Sequence, residues 1–184
     1  MEHRQFQELP AYLRAGDVLV LNDSRVIPAR LHGRNAKSGG QFEILLLEES
    51  SNNLRWAMMR PGKRAPVGTQ IKLLDRAGRP TEITATVTAV NEEGHRQLQW
   101  AGTKNLFNEL EQLGKIPLPP YIERAAELPE DASRYQTVYA GPAGSVAAPT
   151  AGLHFTPAVL AELQSRGVNI AYVTLHVEIG RAHV

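Results

Sequence analysis

Apolar and polar residues alternate in short runs through the first half of the chain. Apolar residues at helical spacing predict a helix over Phe6–Arg14 that ends at Gly16, and the run Asp17–Asn22 is typical of a buried strand. Six β-prone runs follow, separated by turn formers such as Gly39-Gly40. Short strands at regular spacing predict a small β-barrel. The runs are Val26–Gly33, Gln41–Glu48, Leu54–Met59, Thr69–Leu74, Ile83–Val90 and His95–Trp100.

The pattern changes after Gly102, where helical spacing returns. A stripe of leucines and a phenylalanine predicts a helix over Asn105–Leu113. Thr156 is suited to cap a second helix, which begins at Pro157, and the segment Val168–Val177 predicts a strand. The predicted fold is an α/β body with an inserted small antiparallel β-barrel domain. Residues 1–25 and 102–184 would form the discontinuous α/β domain that carries the active-site motifs, and residues 26–101 would form the barrel.

Small residues dominate the segment from Ala140 to Gly152, which precedes His154. Its glycines and prolines interrupt both helical and strand periodicity, and its alanines and serine bury little apolar area. Aromatic residues on both sides favour order, so we predict an ordered loop whose backbone lies close to a ligand. A tight crossover between sheet elements is the alternative.

Composition narrows the class of protein. Hydrophobic residues make up 42% and charged residues 21% of the chain, as in ordinary globular proteins. No apolar run approaches the roughly 18 residues of a membrane span, and the N-terminal residues do not resemble a secretory signal. The absence of cysteine excludes disulfides, thiolate zinc sites and cysteine nucleophiles. We therefore expect a cytoplasmic protein that makes no contact with a membrane.

The net charge of +1 conceals an uneven distribution. Between Arg25 and Arg64 there are eight basic residues and three acidic ones. A basic segment of this kind is the electrostatic footprint of a nucleic-acid-binding surface, although an ordinary solvated face would show the same excess.

Several common enzyme motifs are absent. There is no Gly-x-Gly-x-x-Gly turn after a strand and no phosphate-binding loop with its lysine. Ser145 lacks the flanking glycines of a nucleophile elbow, which argues against a serine hydrolase. His176 and Glu178 form a His-x-Glu pattern, but the zinc-deaminase ligand set also needs cysteines. We expect no metal site.

Five segments, in the same order, resemble the motifs of the S-adenosylmethionine:tRNA ribosyltransferase-isomerase family of queuosine biosynthesis. They are Asn22–Leu31, Lys115–Ile122, Arg134–Ala140, Gly144–Thr156 and Val173–Val177. The resemblance implies an α/β domain interrupted by a β-barrel, in agreement with the pattern of strands and helices.

The resemblance also implies a reaction. The ribosyl part of S-adenosylmethionine, a co-substrate, would be transferred and isomerised onto 7-aminomethyl-7-deazaguanine at the wobble position of a tRNA with a GUN anticodon. Epoxyqueuosine-tRNA would form, and adenine and methionine would leave. The family is expected to act as a monomer without a metal. A non-catalytic RNA-binding β-barrel module is the alternative function.

Candidate residues for this chemistry lie in the matched segments or beside them. A proton must leave the carbon next to sulfur and another must reach adenine, and imidazole is the side chain that exchanges protons near neutral pH. His154 and His176 are therefore the catalytic candidates, and which of them is the general base and which the general acid is left open. A strand histidine such as His176 is, however, often structural. Gly152 is expected to leave room for substrate at the His154 ring. The substrate-binding candidates, which include tyrosines for stacking and arginines for phosphates, are Arg25, Arg30, Tyr121, Arg124, Tyr135, Gln136, Tyr139, Ser145, Thr150 and Thr174.

The family's proteins are longer at both ends, so the chain is expected to be a fragment that lacks both family termini. The likeness stops after Val177, and we expect Glu178–Val184 to be a foreign tail. Missing sheet elements would leave exposed strand edges and an incomplete, inactive site.

Overall fold

The computed structural model of the chain describes residues 3–51, 53–118 and 130–177. These residues form two compact units. One unit combines residues 3–26 with residues 130–177, and the other contains the described residues from 27 to 118. We call them the α/β unit and the barrel unit.

The described residues form ten strands and three short α-helices. The strands are β1 (Val18–Asn22), β2 (Arg25–Val26), β3 (Arg30–Asn35), β4 (Gln41–Ser51), β5 (Leu54–Arg60), β6 (Gln70–Leu74), β7 (Pro80–Val90), β8 (Arg96–Ala101), β9 (Ala143–Ser145) and β10 (Asn169–Val173). The α-helices are α1 (Leu110–Leu113), α2 (Asp131–Arg134) and α3 (Pro157–Ser165), and 3-10 helices cover Phe6–Tyr12, Gly62–Arg64, Leu106–Glu109 and Thr150–His154.

The barrel unit is a closed six-stranded antiparallel barrel in the order β3-β4-β5-β8-β7-β6. Side chains alternate along the strands, so that Leu31, Ile44 and Ile71 are fully buried while their sequence neighbours are at least partly exposed. Gly33 lets the strands pack closely, because a Cβ there would lie 2.5 Å from Cγ2 of Ile71. The predicted antiparallel barrel is thus confirmed.

The predicted strand Val26–Gly33 is wrong as a single element. Val26 pairs with β9 in the α/β unit, whereas Arg30 begins β3 of the barrel. Between them the N–H of Ala29 donates to the carbonyl of Ile27 at 2.7 Å, and Pro28 has no N–H to offer a strand ladder. The chain therefore leaves one unit and enters the other at this proline.

The α/β unit contains two parallel strand pairs, β1 with β10 and β2 with β9. Its core consists of Leu21, Phe155, Val159, Leu163 and Val168. Helix α3 supplies two of these side chains and begins as predicted, with Pro157 in its first turn and the Thr156 hydroxyl accepting the N–H of Val159 at 3.3 Å. The predicted α/β body with an inserted barrel is therefore observed.

Three other elements differ from their predicted form. The predicted helix Phe6–Arg14 is a 3-10 helix that contains Pro10, which cannot donate a backbone hydrogen bond. The predicted helix Asn105–Leu113 is a 3-10 turn followed by α1. The predicted strand Val168–Val177 ends at Val173, and residues 174–177 continue without regular structure. No helix within the described part of the chain is long and apolar enough to cross a membrane.

Candidate functional site

Polar side chains gather where β1 and β10 end. The two strands are parallel, so their carboxyl ends lie at the same edge, a position where ligands bind in open α/β sheets. The Asp23 carboxylate accepts a hydrogen bond from the Thr174 hydroxyl at 2.7 Å, and the Asp23 N–H donates to the carbonyl of Val173 at 3.0 Å. Asp23 is partly exposed, and so the site presents an anionic group. Asp23 was not among the residues predicted from the sequence, although its position directly after a buried strand was the available signal.

Asn22 extends the pairing of β1 beyond the end of β10. Its side-chain amide donates to the carbonyl of Leu175 at 2.9 Å, and its side-chain oxygen accepts the N–H of Leu175 at 3.1 Å. The same oxygen accepts the N–H of Ser24 at 3.1 Å. One amide side chain therefore ties the residues after β1 to the residues after β10.

Two fully buried hydroxyl groups lie beneath this edge. The Ser145 hydroxyl donates to Ser24 Oγ at 2.7 Å and accepts the N–H of Val177 at 2.9 Å. Burying a hydroxyl without a hydrogen-bond partner would destabilise the fold, but Ser24 has one partner and Ser145 has two. A substrate contact for Ser145 stays a prediction, since its observed contacts are within the protein.

The imidazole of His176 lies against the backbone of Gly144. A Cβ at position 144 would lie 2.5 Å from the Nδ1 atom and 2.9 Å from the Nε2 atom of this ring. His176 is nevertheless exposed to solvent. The small-residue segment therefore makes room for His176. Gly152, expected to make room at His154, instead faces Tyr139, because its Cβ would lie 2.5 Å from that hydroxyl.

His154 is the last residue of the 3-10 helix Thr150–His154 and is exposed. The centroid of its ring lies 5.3 Å from that of Phe6. A cleft of about 610 Å³ opens beside the ring and is bordered by Phe6, Thr156 and Glu162. A second cleft of about 290 Å³ has Leu9 and Tyr12 on its walls and also reaches His154. The imidazole is therefore accessible from solvent.

Tyr139 belongs to an aromatic cluster. Its ring centroid lies 6.1 Å from that of Phe155 and 5.8 Å from that of Tyr172. Burial, together with the neighbouring Tyr172, raises the pKa of the Tyr139 hydroxyl above its ordinary value of 10.0, so it is protonated at neutral pH. Tyr135, the other described stacking candidate, is only 6% exposed. Its role as a stacking platform stays a prediction.

Gln136 and Arg25 hold the edge formed by β2. The Gln136 amide donates to the carbonyl of Val26 at 2.8 Å, and its oxygen accepts the N–H of the same residue at 2.9 Å. The Arg25 guanidinium is exposed and donates to the carbonyl of Ala140 at 3.2 Å. Both candidates therefore make contacts that fix the segment after α2 against β2.

The remaining candidates are dispersed. Thr150 is exposed at the start of its 3-10 helix, and Tyr121 and Arg124 lie outside the described residues. Arg30 belongs to the barrel unit, where its guanidinium donates to the carbonyl of Leu118 at 3.1 Å. Within residues 3–51, 53–118 and 130–177, no three histidine, aspartate or glutamate side chains gather in an arrangement that could hold a metal ion.

Comparison with known proteins identifies relatives of the whole chain. The S-adenosylmethionine:tRNA ribosyltransferase-isomerase of Moorella thermoacetica is 47% identical over 181 residues, which are 98% of this chain and 51% of that protein. The protein of the same name from Thermus thermophilus is 50% identical over 97% of this chain and 50% of its own length. The chain thus spans about half the length of these curated relatives.

A solved structure also matches. The crystal structure of S-adenosylmethionine tRNA ribosyltransferase from Thermotoga maritima is 30% identical, with a TM-score of 0.40, over 96% of this chain and 46% of that one. The family model described as "Queuosine biosynthesis protein" matches residues 1–184, which confirms the resemblance carried by the five motifs. The chain belongs to the queuosine biosynthesis protein family.

Proposed function

We propose that this chain forms part of the active site of an S-adenosylmethionine:tRNA ribosyltransferase-isomerase. In the proposed reaction, the ribosyl group of S-adenosylmethionine is transferred and isomerised onto 7-aminomethyl-7-deazaguanine at the wobble position of a GUN-anticodon tRNA, with release of adenine and methionine. The observation that supports the proposal most directly is the hydrogen bond between Thr174 and the Asp23 carboxylate at the carboxyl ends of two parallel strands, with His176 two residues farther along the chain. Relatives that are 47% and 50% identical carry the name S-adenosylmethionine:tRNA ribosyltransferase-isomerase.

The two exposed histidines suit the proton transfers of this reaction. A base must take a proton from the carbon next to the sulfonium, and an acid must protonate the departing adenine. His154 and His176 are both accessible to a ligand, and neither lies in the buried core. We assign them jointly to these two steps.

Asp23 has the charge that a sulfonium requires. A sulfonium is a cation without a proton to donate, so it is stabilised by nearby negative charge, oxygen dipoles or aromatic faces. The Asp23 carboxylate is held by the Thr174 hydroxyl and remains partly exposed. We propose that Asp23 faces the sulfonium end of S-adenosylmethionine.

The tRNA would contact aromatic and basic groups. A wobble base lies in a single-stranded loop and can be turned outward to stack on an aromatic ring, for which Tyr139 is partly exposed. Exposed Arg25 and the outward-facing basic residues of the barrel would contact phosphates. These groups support a role for tRNA as the acceptor substrate.

Adenine release tests the proposed function. The assay uses this chain and a chimera in which it replaces the matching segment of the Moorella relative. S-Adenosylmethionine is supplied with tRNA that carries either 7-aminomethyl-7-deazaguanine or guanine at the wobble position. Adenine formed by the chimera only with the modified tRNA supports the transferase. Tight tRNA binding without adenine release by the chimera would instead support the RNA-binding module, which the basic segment from Arg25 to Arg64 also favours.

A further inference from the structure

Residues 174–177 have no regular structure, yet they are fixed by contacts on both sides. Thr174 is bound to the Asp23 carboxylate, and the backbone of Leu175 is bound in both directions to the Asn22 side chain. The N–H of Val177 donates to the Ser145 hydroxyl. The carbonyl of Val177 accepts hydrogen bonds from the backbones of Val146 and Ala147, at 2.8 and 3.1 Å. His176 thus lies between two residues whose backbones are held.

Gly144 supplies the surface on which the His176 ring rests. Its φ of +159° is one that residues with a side chain rarely adopt, so the backbone itself favours glycine there. The His176 ring is a second reason for glycine, because a Cβ would lie 2.5 Å from Nδ1, far inside ordinary van der Waals contact. Glycine at this position therefore permits both the backbone conformation and the close approach of the imidazole.

We infer that Gly144 is a positioning residue for His176, and that the contacts around residues 174–177 hold this imidazole in the orientation used for proton transfer. The inference rests on the proposed function. His154 differs, since its ring rests on a Phe6 side chain rather than on backbone. A methyl group at position 144 would push the His176 ring away by about 1 Å before ordinary contact distances are restored.

Gly144→Ala tests the inference, with Gly141→Ala as the matched control. Both glycines belong to the same segment, but a Cβ at Gly141 would meet its nearest neighbours, two oxygens of Asp23, at 3.9 Å. In the chimera, we expect Gly144→Ala to lower kcat for adenine release on the order of 100-fold, because a displacement of this size disturbs the reacting geometry. KM for both substrates should stay near the parent values, since the ring acts in the transition state. Gly141→Ala should keep the parent kcat.

An NMR measurement on the 184-residue chain gives an answer that is independent of activity. The parent should show a nuclear Overhauser effect between the Gly144 α-protons and the His176 ring, and Gly144→Ala should shift the His176 ring resonances while Gly141→Ala leaves them in place. Absence of the effect in the parent overturns the inference, even where Gly144→Ala fails to fold. An unchanged kcat in a folded Gly144→Ala chimera also overturns it. A parent chimera that releases no adenine contradicts the proposed function, and the NMR result then decides whether Gly144 positions the ring.

Discussion

Two glycines in the small-residue segment are each in close contact with an aromatic side chain. Gly144 contacts the imidazole of His176. Gly152 is buried against the Tyr139 hydroxyl and the Thr137 methyl group. A long stretch of small residues therefore serves two separate contacts in the α/β unit. From the sequence, small size alone indicated close approach but could not show which side chain approaches.

Gly152→Ala is expected to destabilise the chain. Its Cβ would lie 2.5 Å from Tyr139 Oη and 2.8 Å from Thr137 Cγ2, and relief of such overpacking costs about 1–3 kcal/mol. Urea unfolding of the 184-residue chain measures the loss. Gly141→Ala, whose Cβ would be in ordinary contact, is the control. Equal unfolding midpoints for the two variants would contradict the observed packing around Gly152.

His154→Ala should affect catalysis far more than binding. The side chain is exposed beside the 610 Å³ cleft, so its removal exposes part of Phe6 but deletes no buried core group. Loss of a general acid or base lowers a rate by roughly 100-fold to 10,000-fold. We expect that fall in adenine release by the chimera, with tRNA affinity unchanged, and His3→Ala, at another exposed histidine, should match the parent. Full activity of His154→Ala would exclude this imidazole from the chemistry.

At the scale of strands and helices, alternation of apolar residues was enough to predict the barrel. The barrel strands are long enough for buried apolar residues to recur at every second position, as Ile71 and Leu73 do on β6. Strands β2 and β9 have two and three residues and carry no such pattern. They are defined by distant partners, such as Gln136, which binds Val26 across 110 positions of the chain. Elements of this length could not be predicted from the sequence alone.

Strand pairing also brings together two cations on the outside of the barrel. Arg34 on β3 lies opposite Lys72 on β6, and both alternate with buried residues. Lys72 forms an ion pair with Glu82 at 3.8 Å, which contributes little attraction because the Glu82 side chain is 95% exposed. Neighbouring like charges repel, and a bound phosphate would relieve that repulsion. We therefore expect this pair to contact RNA.

The double variant Arg34→Gln, Lys72→Gln should weaken tRNA binding by the 184-residue chain. The slope of log affinity against log salt should flatten by about one for each phosphate contact that is lost. Arg79→Gln is the control, because Arg79 is 79% exposed and already paired with Asp75 at 2.8 Å. Fluorescence anisotropy at several salt concentrations measures the tRNA affinity and its salt slope for each protein. A double variant with the same salt slope as the parent would show that the RNA contact lies elsewhere.

At the scale of the whole molecule, the candidate site joins residues far apart in the chain. Asp23 and Thr174 are 151 positions apart, and Ser24 and Ser145 are 121 apart. Resemblance to family motifs identified the segments, and His176 and Thr174 among them, because motifs are local in sequence. It could not show that Asp23 binds Thr174 or that Gly144 supports His176. Parallel pairing of β1 with β10 creates the first contact, and the hydrogen bonds between Val177 and residues 145–147 bring His176 to Gly144.

The stability of the molecule should depend on the protonation of His32 in the barrel. Burial lowers the pKa of the His32 imidazole below its ordinary value of 6.5, the charges of Lys115 and Arg30 lower it further, and Glu43 on the adjacent strand opposes them. As the pH falls through 6.5, the unfolded chain therefore binds a proton before the folded chain does. The free energy of unfolding should be greatest above pH 6.5, decrease as the pH falls below it, and level off once the folded chain is also protonated.

Comparison of His32→Gln with the parent isolates this contribution. The amide keeps a polar side chain at the same position but does not titrate, so the variant should lose less stability than the parent between pH 7.5 and pH 5. Urea unfolding at several pH values measures the free energy of unfolding of both proteins. The other five histidines are the same in both, so their contributions cancel in the difference between the two free energies. A difference that does not change with pH would show that the folded barrel binds the His32 proton as readily as the unfolded chain does, contrary to the effects of burial and of Lys115.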